Sequence, residues 1–502
     1  MTILEHCRAR ARTEQGRLWS RGEVGDGGWR LAAAQLWEGA WELVSLWAER
    51  HFVHMAVRGP LSGEIAVLSH PCEHDAYTSL GQRHAPAIRL ERTIRDLFGL
   101  EAIGLPDPRP WLDHDRWGLK HPLAGSETSG EVPDYQFLPA EGEGLHRIGV
   151  GPVHAGIIEP GFFLFTANGE TVVRLEERLG YVHKGIESLM TGADLARAIR
   201  LAGRTSGDST VAYAYAFATA AEAALEIDVP PRAIWLRALM AELERVANHL
   251  GDFGAICNDA SFAIMHAQCG ILRERVLRVA GTCFGHRLMR DRIVIGGVTT
   301  DLDRNGHASL RNLLDGITRR LPRLAELYDK SASLQDRTVG TGVLKPALAR
   351  QYACGGYIGR ASGRDFDARK AVGYAPYDRL LFDVPILVEG DVNARVWIRV
   401  REIEQSVEIV RQILARLPEG ELRADLHSQA AVREGAALVE GFRGDIFVWL
   451  RIAADGTVKN CHMRDPSWFQ WPLLEAAMEG NIVADFPLCN KSFNCSYSGH
   501  DC

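Results

Sequence analysis

The chain has 502 residues, more than one ordinary core holds, so its length predicts two or three domains and excludes a single small module. With 57 Lys+Arg against 64 Asp+Glu, a net charge of -7 and 46% hydrophobic residues, it has the balance of a soluble globular protein, and nothing in that balance draws nucleic acid or a membrane surface. Its ten cysteines are too sparse for a disulfide-stapled secreted domain and point to a reducing compartment.

The N-terminal MTILEHCRARARTEQGR turns charged after four residues and lacks the apolar core of an export signal. Residues 1–135 are expected to form a small mixed α/β domain. It would hold a helix from Trp29 to His51, strands at HFVHMAVRG and GEIAVLSHP, and a helix around Glu91–Leu100. Pro, Gly and Asp then cluster over residues 104–140, which reads as a linker. From Gly149 onward, FFLFTA and TVVRLEERLG flank Asn168-Gly169, a β-hairpin signal.

Beyond the hairpin, Asp194–Leu225 is nearly all small and apolar, and Pro230–Leu250 repeats apolar residues at i, i+3, i+4 behind a proline start. Further helices are expected at Gly270–Arg287, Ala308–Tyr328 and Asn393–Ala415, and GDIFVWLRIAADGTVKN reads as a hairpin near the end. The expected fold class is α+β: the small mixed α/β domain (1–135), then a large mainly α-helical bundle domain with peripheral β-hairpins (136–502). The longest apolar stretch, Val211–Ala221, stops at Glu222, short of the ~20 residues that cross a bilayer, so other subunits would have to supply spanning helices.

Five places carry candidate chemistry: His154 in GPVHAG, His183 in GYVHKGIE, RTSGDS at 204–209, Asp259 in CNDAS, and Cys489 with Cys495. A histidine in a Gly-rich turn can hold or pass a proton near neutral pH, while a lone one is more often a hydrogen-bonded structural residue. RVREIEQSVEIVRQ alternates its signs on a helical period and reads as a solvated or subunit-facing helix surface. The tail CNKSFNCSYSGHDC offers Cys489, Cys495, His500 and Cys502 to a zinc ion, at an irregular spacing. No G-x-G-x-x-G follows a strand, so dinucleotide binding is not expected.

Five stretches, GPVHAGIIEPGFFLF, LEERLGYVHKGIE, PPRAIWLRALMAELERVANHLGDFG, VIGGVTTDL and GRDFDARKAVGYAPYDRLLFDVPILVEGDVNARVWIRVREIEQS, follow in order over roughly residues 147–417. They closely resemble two sister groups: the large subunit of group 4, energy-converting nickel-iron hydrogenases, and the 49 kDa subunit of respiratory complex I. ERTIRDLFGL followed by HDRWGLKHPL is similar to the 30 kDa complex I subunit, so the chain resembles a fusion of both. The resemblance implies an oxidoreductase subunit, cytoplasmic and peripheral on the inner face of the cell membrane. Its partners would be a small iron–sulfur subunit that delivers electrons and membrane-arm ion-pumping subunits.

In the hydrogenase branch two Cys-x-x-Cys pairs hold nickel and iron. Here the first pair falls on Ser206 and Ser209, and in DFPLCNKSFNC five residues separate Cys489 from Cys495. Serine is a poor soft-metal ligand at neutral pH, so no nickel-iron centre is expected. In the complex I branch the quinone meets a tyrosine and a histidine paired to an aspartate. The histidine and aspartate map to His154 and Asp259 and the tyrosine to Gly207, which leaves the charge pair without a second proton donor.

Arg204 and Arg290 match positions facing the partner's cluster, where positive charge raises its potential. A rival reading pairs Arg290 on the surface with Asp291 or Glu274. Asp365, Asp367, Arg369 and Asp391 lie in matching segments and are expected in a fully paired buried lattice. These readings converge on an electron-transfer subunit with an acceptor pocket, quinone the candidate. His154 and Asp259 would serve catalysis there, and Ser206, Gly207, Ser209 and His183 would line it. An active group 4 hydrogenase and a non-catalytic coupling subunit are the alternatives.

Overall fold

The computed structural model describes residues 19–60, 63–124, 134–155, 157–425 and 431–502; the N-terminal stretch read for an export signal lies outside them. The first sheet comprises β1 (Trp19–Glu23), β2 (Glu42–Glu49), β3 (Phe52–Arg58) and β4 (Ile65–Pro71), in the order β1-β4-β3-β2. Only β1 and β4 run parallel. Helix α1 (Asp26–Trp37) follows β1, and α2 (Ile88–Phe98) buries Leu90, Ile94 and Leu97 against the sheet.

The helix expected from Trp29 to His51 therefore ends at Trp37, and Glu42–Glu49 is a strand. Both faces of β2 are apolar: Leu43, Leu46 and Ala48 join the main core, while Val44 and Trp47 join a second cluster with Phe447 and Trp449. A strand covered on both sides loses the alternation that betrays it in sequence.

Within the segment expected to be a linker, residues 110–113 are packed against the rest of the molecule while the other described residues are exposed or half-buried. Trp111 and Leu112 are buried, the N–H groups of Trp111, Leu112 and Asp113 donate to one Asp96 oxygen, and Arg89 and Arg92 each lie 4.5 Å from the Trp111 ring.

β5 (Leu145–Val150), β6 (Phe162–Asn168) and β7 (Thr171–Arg178) form an antiparallel meander, with Asn168-Gly169 at the expected turn. The small-residue stretch after it is two helices, α3 (Leu195–Ala202) and α4 (Thr210–Leu225), interrupted at the RTSGDS loop. Then come α5 (Pro231–Asp259), α6 (Ala263–Phe284), α7 (Arg304–Lys330) and α8 (Val392–Arg416). A second antiparallel sheet, β8 (Arg433–Glu440), β9 (Asp445–Ile452) and β10 (Val458–Arg464), lies against α4. Helices α9 (Ser467–Met478) and α10 (Phe486–Phe493) and a short turn of helix at Tyr497–His500 close the chain. The architecture is α+β, as expected.

Helix α8 corrects a second expectation. Arg399, Glu402 and Ser406, read as a solvated or partner-facing surface, are buried, while Arg401, Glu404 and Glu408 are exposed. Glu402 accepts from Arg360 Nε and contacts His249 Nε2, both at 2.7 Å, and Arg360 also donates to Glu440 at 2.9 Å. Arg369 bridges Asp367 and Glu242, and Glu242 accepts further from Tyr377 and Ser406. Burial alone would push the Glu402 carboxyl up, yet Arg360 and His249 hold it well below its ordinary value. Of the four residues expected in this lattice, Asp367 and Arg369 belong to it. Asp365 is exposed, and Asp391 instead caps α8, accepting from Ala394 N and Gly340 N.

Candidate functional site

The His154 turn leaves β5 at Gly151, whose φ of +99° favours glycine and where a Cβ would stand 2.3 Å from the Gly161 carbonyl oxygen. Gly161 returns the chain to β6, and a Cβ there would strike the Tyr497 ring at 2.6 Å. The missing side chain thus admits Tyr497, whose hydroxyl lies 3.3 Å from His154 Nε2. Its ring packs on Trp471 at 4.7 Å. Burial raises the phenol's pKa, so it stays protonated. Burial, and then Lys491, lowers that of His154, leaving the half-buried imidazole neutral at pH 7.

Asp259, at the end of α5, is half-buried, and burial raises its carboxyl against the opposing pull of Lys491. No hydrogen bond or ion pair joins it to His154, so the pairing the resemblance implied is not formed. Lys491 of α10 acts on both groups instead.

The loop between α3 and α4 is organised by Asp208. Its carboxylate accepts from Ser206 Oγ at 2.6 Å and Ser209 Oγ at 3.3 Å, and takes both Arg443 Nη atoms, at 2.8 and 2.6 Å. Arg443 comes from the turn between β8 and β9, and Ser496 Oγ donates to Ser206 Oγ at 3.2 Å. Against desolvation, Arg443 above all brings the Asp208 carboxyl down to about 2. Gly207 has open space around its α-carbon.

This donor set does not suit nickel and iron, because the hydroxyls are hydrogen-bonded to a carboxylate that a guanidinium already neutralises. Cys489 and Cys495 offer no substitute: both are buried, and burial raises the Cys489 thiol to about 12 and the Cys495 thiol well above its ordinary value. Nor do the tail residues assemble around a metal. His500 contacts Asp501 and stacks on Trp468 at 4.1 Å, and no group of three His, Cys, Asp or Glu among the described residues is disposed to hold an ion.

The two arginines meet around one carboxylate. Arg204 grips Asp291 with both Nη atoms, at 2.7 and 2.8 Å, and this hydrogen bond, with Arg290 adding to it, lowers the Asp291 pKa. Arg290 itself pairs with neither Asp291 nor Glu274; Glu274 is held by Arg278 and Arg287. His183 sits apart from His154, donating Nδ1–H to Asp501 O at 2.8 Å and packing on Trp117 at 4.8 Å.

Sequence reasoning missed Tyr497, Lys491, Asp208 and Arg443. The Asp208 signal was in plain view, a carboxylate between two serines at the metal-ligand positions. The other three come from segments far along the chain.

The structure thus defines a large subunit of the complex I and hydrogenase type, whose 204–209 loop is closed by the Asp208–Arg443 ion pair. Residues 262–437 match the family described as the respiratory-chain NADH dehydrogenase, 49 Kd subunit. An NADH-quinone oxidoreductase subunit of Dehalococcoides mccartyi is 32% identical, over 67% of this chain and 93% of its own. Formate hydrogenlyase subunit 5 of Escherichia coli is 29% identical over 85% of this chain, more than residues 136–502 alone can hold, and 77% of its own. The fold is also that of a chain in the membrane-bound sulfane sulfur reductase, an archaeal respiratory membrane complex. That match has a TM-score of 0.68 and 24% identity, and covers 72% of this chain and 99% of the other. The chain belongs to the complex I 49 kDa and group 4 hydrogenase large-subunit family, with a fused region like the 30 kDa subunit ahead of it.

Proposed function

We propose that this chain is the electron-transfer subunit of a membrane-associated oxidoreductase complex. It passes electrons from an iron–sulfur cluster in a small partner subunit to a quinone-type acceptor, and it has given up the nickel-iron centre. The observation that carries this reading is the Asp208–Arg443 ion pair closed over Ser206 and Ser209. A guanidinium and two engaged hydroxyls stand where soft-metal chemistry requires thiolates.

Reducing a quinone takes two electrons and two protons. Tyr497, protonated, gives one proton to an acceptor oxygen, and His154, neutral, takes a proton from solvent and passes it on, so that two solvent protons in all reach the acceptor and restore the phenol. Arg204 and Arg290, gathered at Asp291, form the cationic corner that favours the reduced state of the neighbouring cluster. No helix among the described residues is long and apolar enough to cross a membrane. In this reading, ion-pumping subunits provide the membrane arm and hold the chain at its inner face.

An elemental and quinone inventory of the purified intact complex tests the proposal. Iron and quinone without nickel are expected; stoichiometric nickel overturns it. His154→Ala is expected to abolish turnover while the complex still assembles, and full turnover in that variant removes the acceptor site.

A further inference from the structure

Two cavities unrelated to the His154 turn join between the N-terminal sheet and the end of the chain. The inner one, about 280 Å³, is walled by Leu46, Leu90, Ile94 and Phe98 on one side and by Trp449 and Trp468 on the other. The outer one, about 330 Å³, opens past Trp117, His183 and Lys184. They share Leu97, Pro122, Leu123, Glu187, Ser188 and Cys502, and so form one slot of the size that ligand sites occupy. His154, Tyr497 and Asp259 line neither part.

The polar groups of the inner end are already engaged. His462 spends one ring nitrogen on Ser45 Oγ, at 2.7 Å, and the other on Glu187, at 3.1 Å; Glu187 also accepts from Met463 N. Burial keeps the Cys461 and Cys502 thiols protonated. What remains for a guest is mainly apolar surface, with Thr93, Thr191 and Asn460 also on the wall. The mouth differs: Lys184 Nζ donates to the carbonyls of Arg204 and Thr205, which leaves a third N–H, and it forms no ion pair among the described residues. His183 commits only Nδ1. The slot therefore presents an unneutralised ammonium and a free imidazole nitrogen at the opening of an apolar channel.

We propose that this slot is a binding site for a single-chain amphiphile with a carboxylate head. The alkyl chain lies between α2 and β10, and the carboxylate is held by the remaining N–H of Lys184, beside the His183 ring. Because Lys184 also clamps the carbonyls at the start of the RTSGDS loop, the occupant abuts the element that carries Ser206 and Asp208.

The test is titration of the purified complex, kept in an alkyl-free amphipathic polymer, with dodecanoate, read by tryptophan fluorescence. Saturable binding is expected. Lys184→Gln should weaken it by about tenfold, the scale of one charge-assisted hydrogen bond. Leu97→Trp, which fills the shared wall, should abolish it. Should Leu97→Trp fail to fold, Ser188→Trp plugs the same junction from the exposed side. Absence of saturable binding, or binding that neither Lys184→Gln nor Ser188→Trp changes, overturns the site. Equal affinity for dodecanol, or binding of decylubiquinone in place of dodecanoate, overturns the carboxylate assignment.

Discussion

Tyr497 brings a phenol to His154 from the far end of the sequence. The position expected to hold a tyrosine is Gly207, and no motif marks the tail tyrosine as a neighbour of His154. Its contact with His154 depends on an absent side chain at Gly161 and a ring packed on Trp471. Tyr497→Phe is expected to lower acceptor reduction by about a hundredfold, the scale of one lost acid–base group, with the complex intact; steady-state kinetics will measure it. The Ser206 and Ser209 substitutions were legible because they change the donor atom itself. Their neutralisation was not, because Arg443 lies far downstream. The Asp208 carboxyl falls from 3.8 to about 2, so its stabilising contribution is complete above its unfolded value and is lost as pH falls through the folded one. Asp208→Asn should accordingly lower the melting temperature near neutrality, and the gap to the native chain should narrow as pH is taken from about 4 towards 2. Thermal scans across that range decide it.

At the scale of elements, the hairpins were readable from their turns, and α4 and α5 from small, apolar runs and a proline start, although both are buried on nearly every face. β2 and α8 were misread for one shared reason: contacts distant in sequence cover the faces that periodicity treats as exposed. On α8, the alternating charges that suggest solvation point partly inward, where Arg360 and His249 answer Glu402. Arg360→Met removes one member of a buried network and is expected to destabilise the chain by about 3–5 kcal/mol in denaturant titration, because Glu402 and Glu440 lose their cation. A packing test lies at Gly435 of β8, where a Cβ would fall 2.0 Å from the Ala220 oxygen of α4. Gly435→Ala should destabilise by roughly 1–3 kcal/mol, the range of overpacked cores, and an unchanged unfolding midpoint would show that α4 yields freely.

Across the whole molecule, the N-terminal sheet is bound to the rest through specific ion pairs as well as apolar contact. Arg89 of α2 donates to Glu177 of β7 and Glu475 of α9, and Arg464 donates to the Val44 carbonyl of β2. Burial, with Glu475 nearby, raises the Glu177 carboxyl well above its ordinary value even with Arg89 in place. Arg89→Ala therefore leaves two carboxylates that resist ionising together. The folded state will hold protons that the unfolded state releases, so the variant's loss of stability should deepen as pH rises above the ordinary carboxylate range. Melting curves at acid and neutral pH will show the trend, and a deficit independent of pH would refute it. The pattern of expected strands and helices could predict the α+β class, but not these ties, which join residues up to several hundred positions apart.

The ion pair over the serine loop also constrains descent. Changing Asp208 alone strands a buried guanidinium, and changing Arg443 alone strands a carboxylate, so dismantling the pair one residue at a time passes through a less stable protein. Cysteines placed at 206 and 209 would leave both partners in place. In the proposed reading, exchanging two thiols for hydroxyls admits this salt link, and a metal-binding loop there requires dismantling the link as well as replacing the serines.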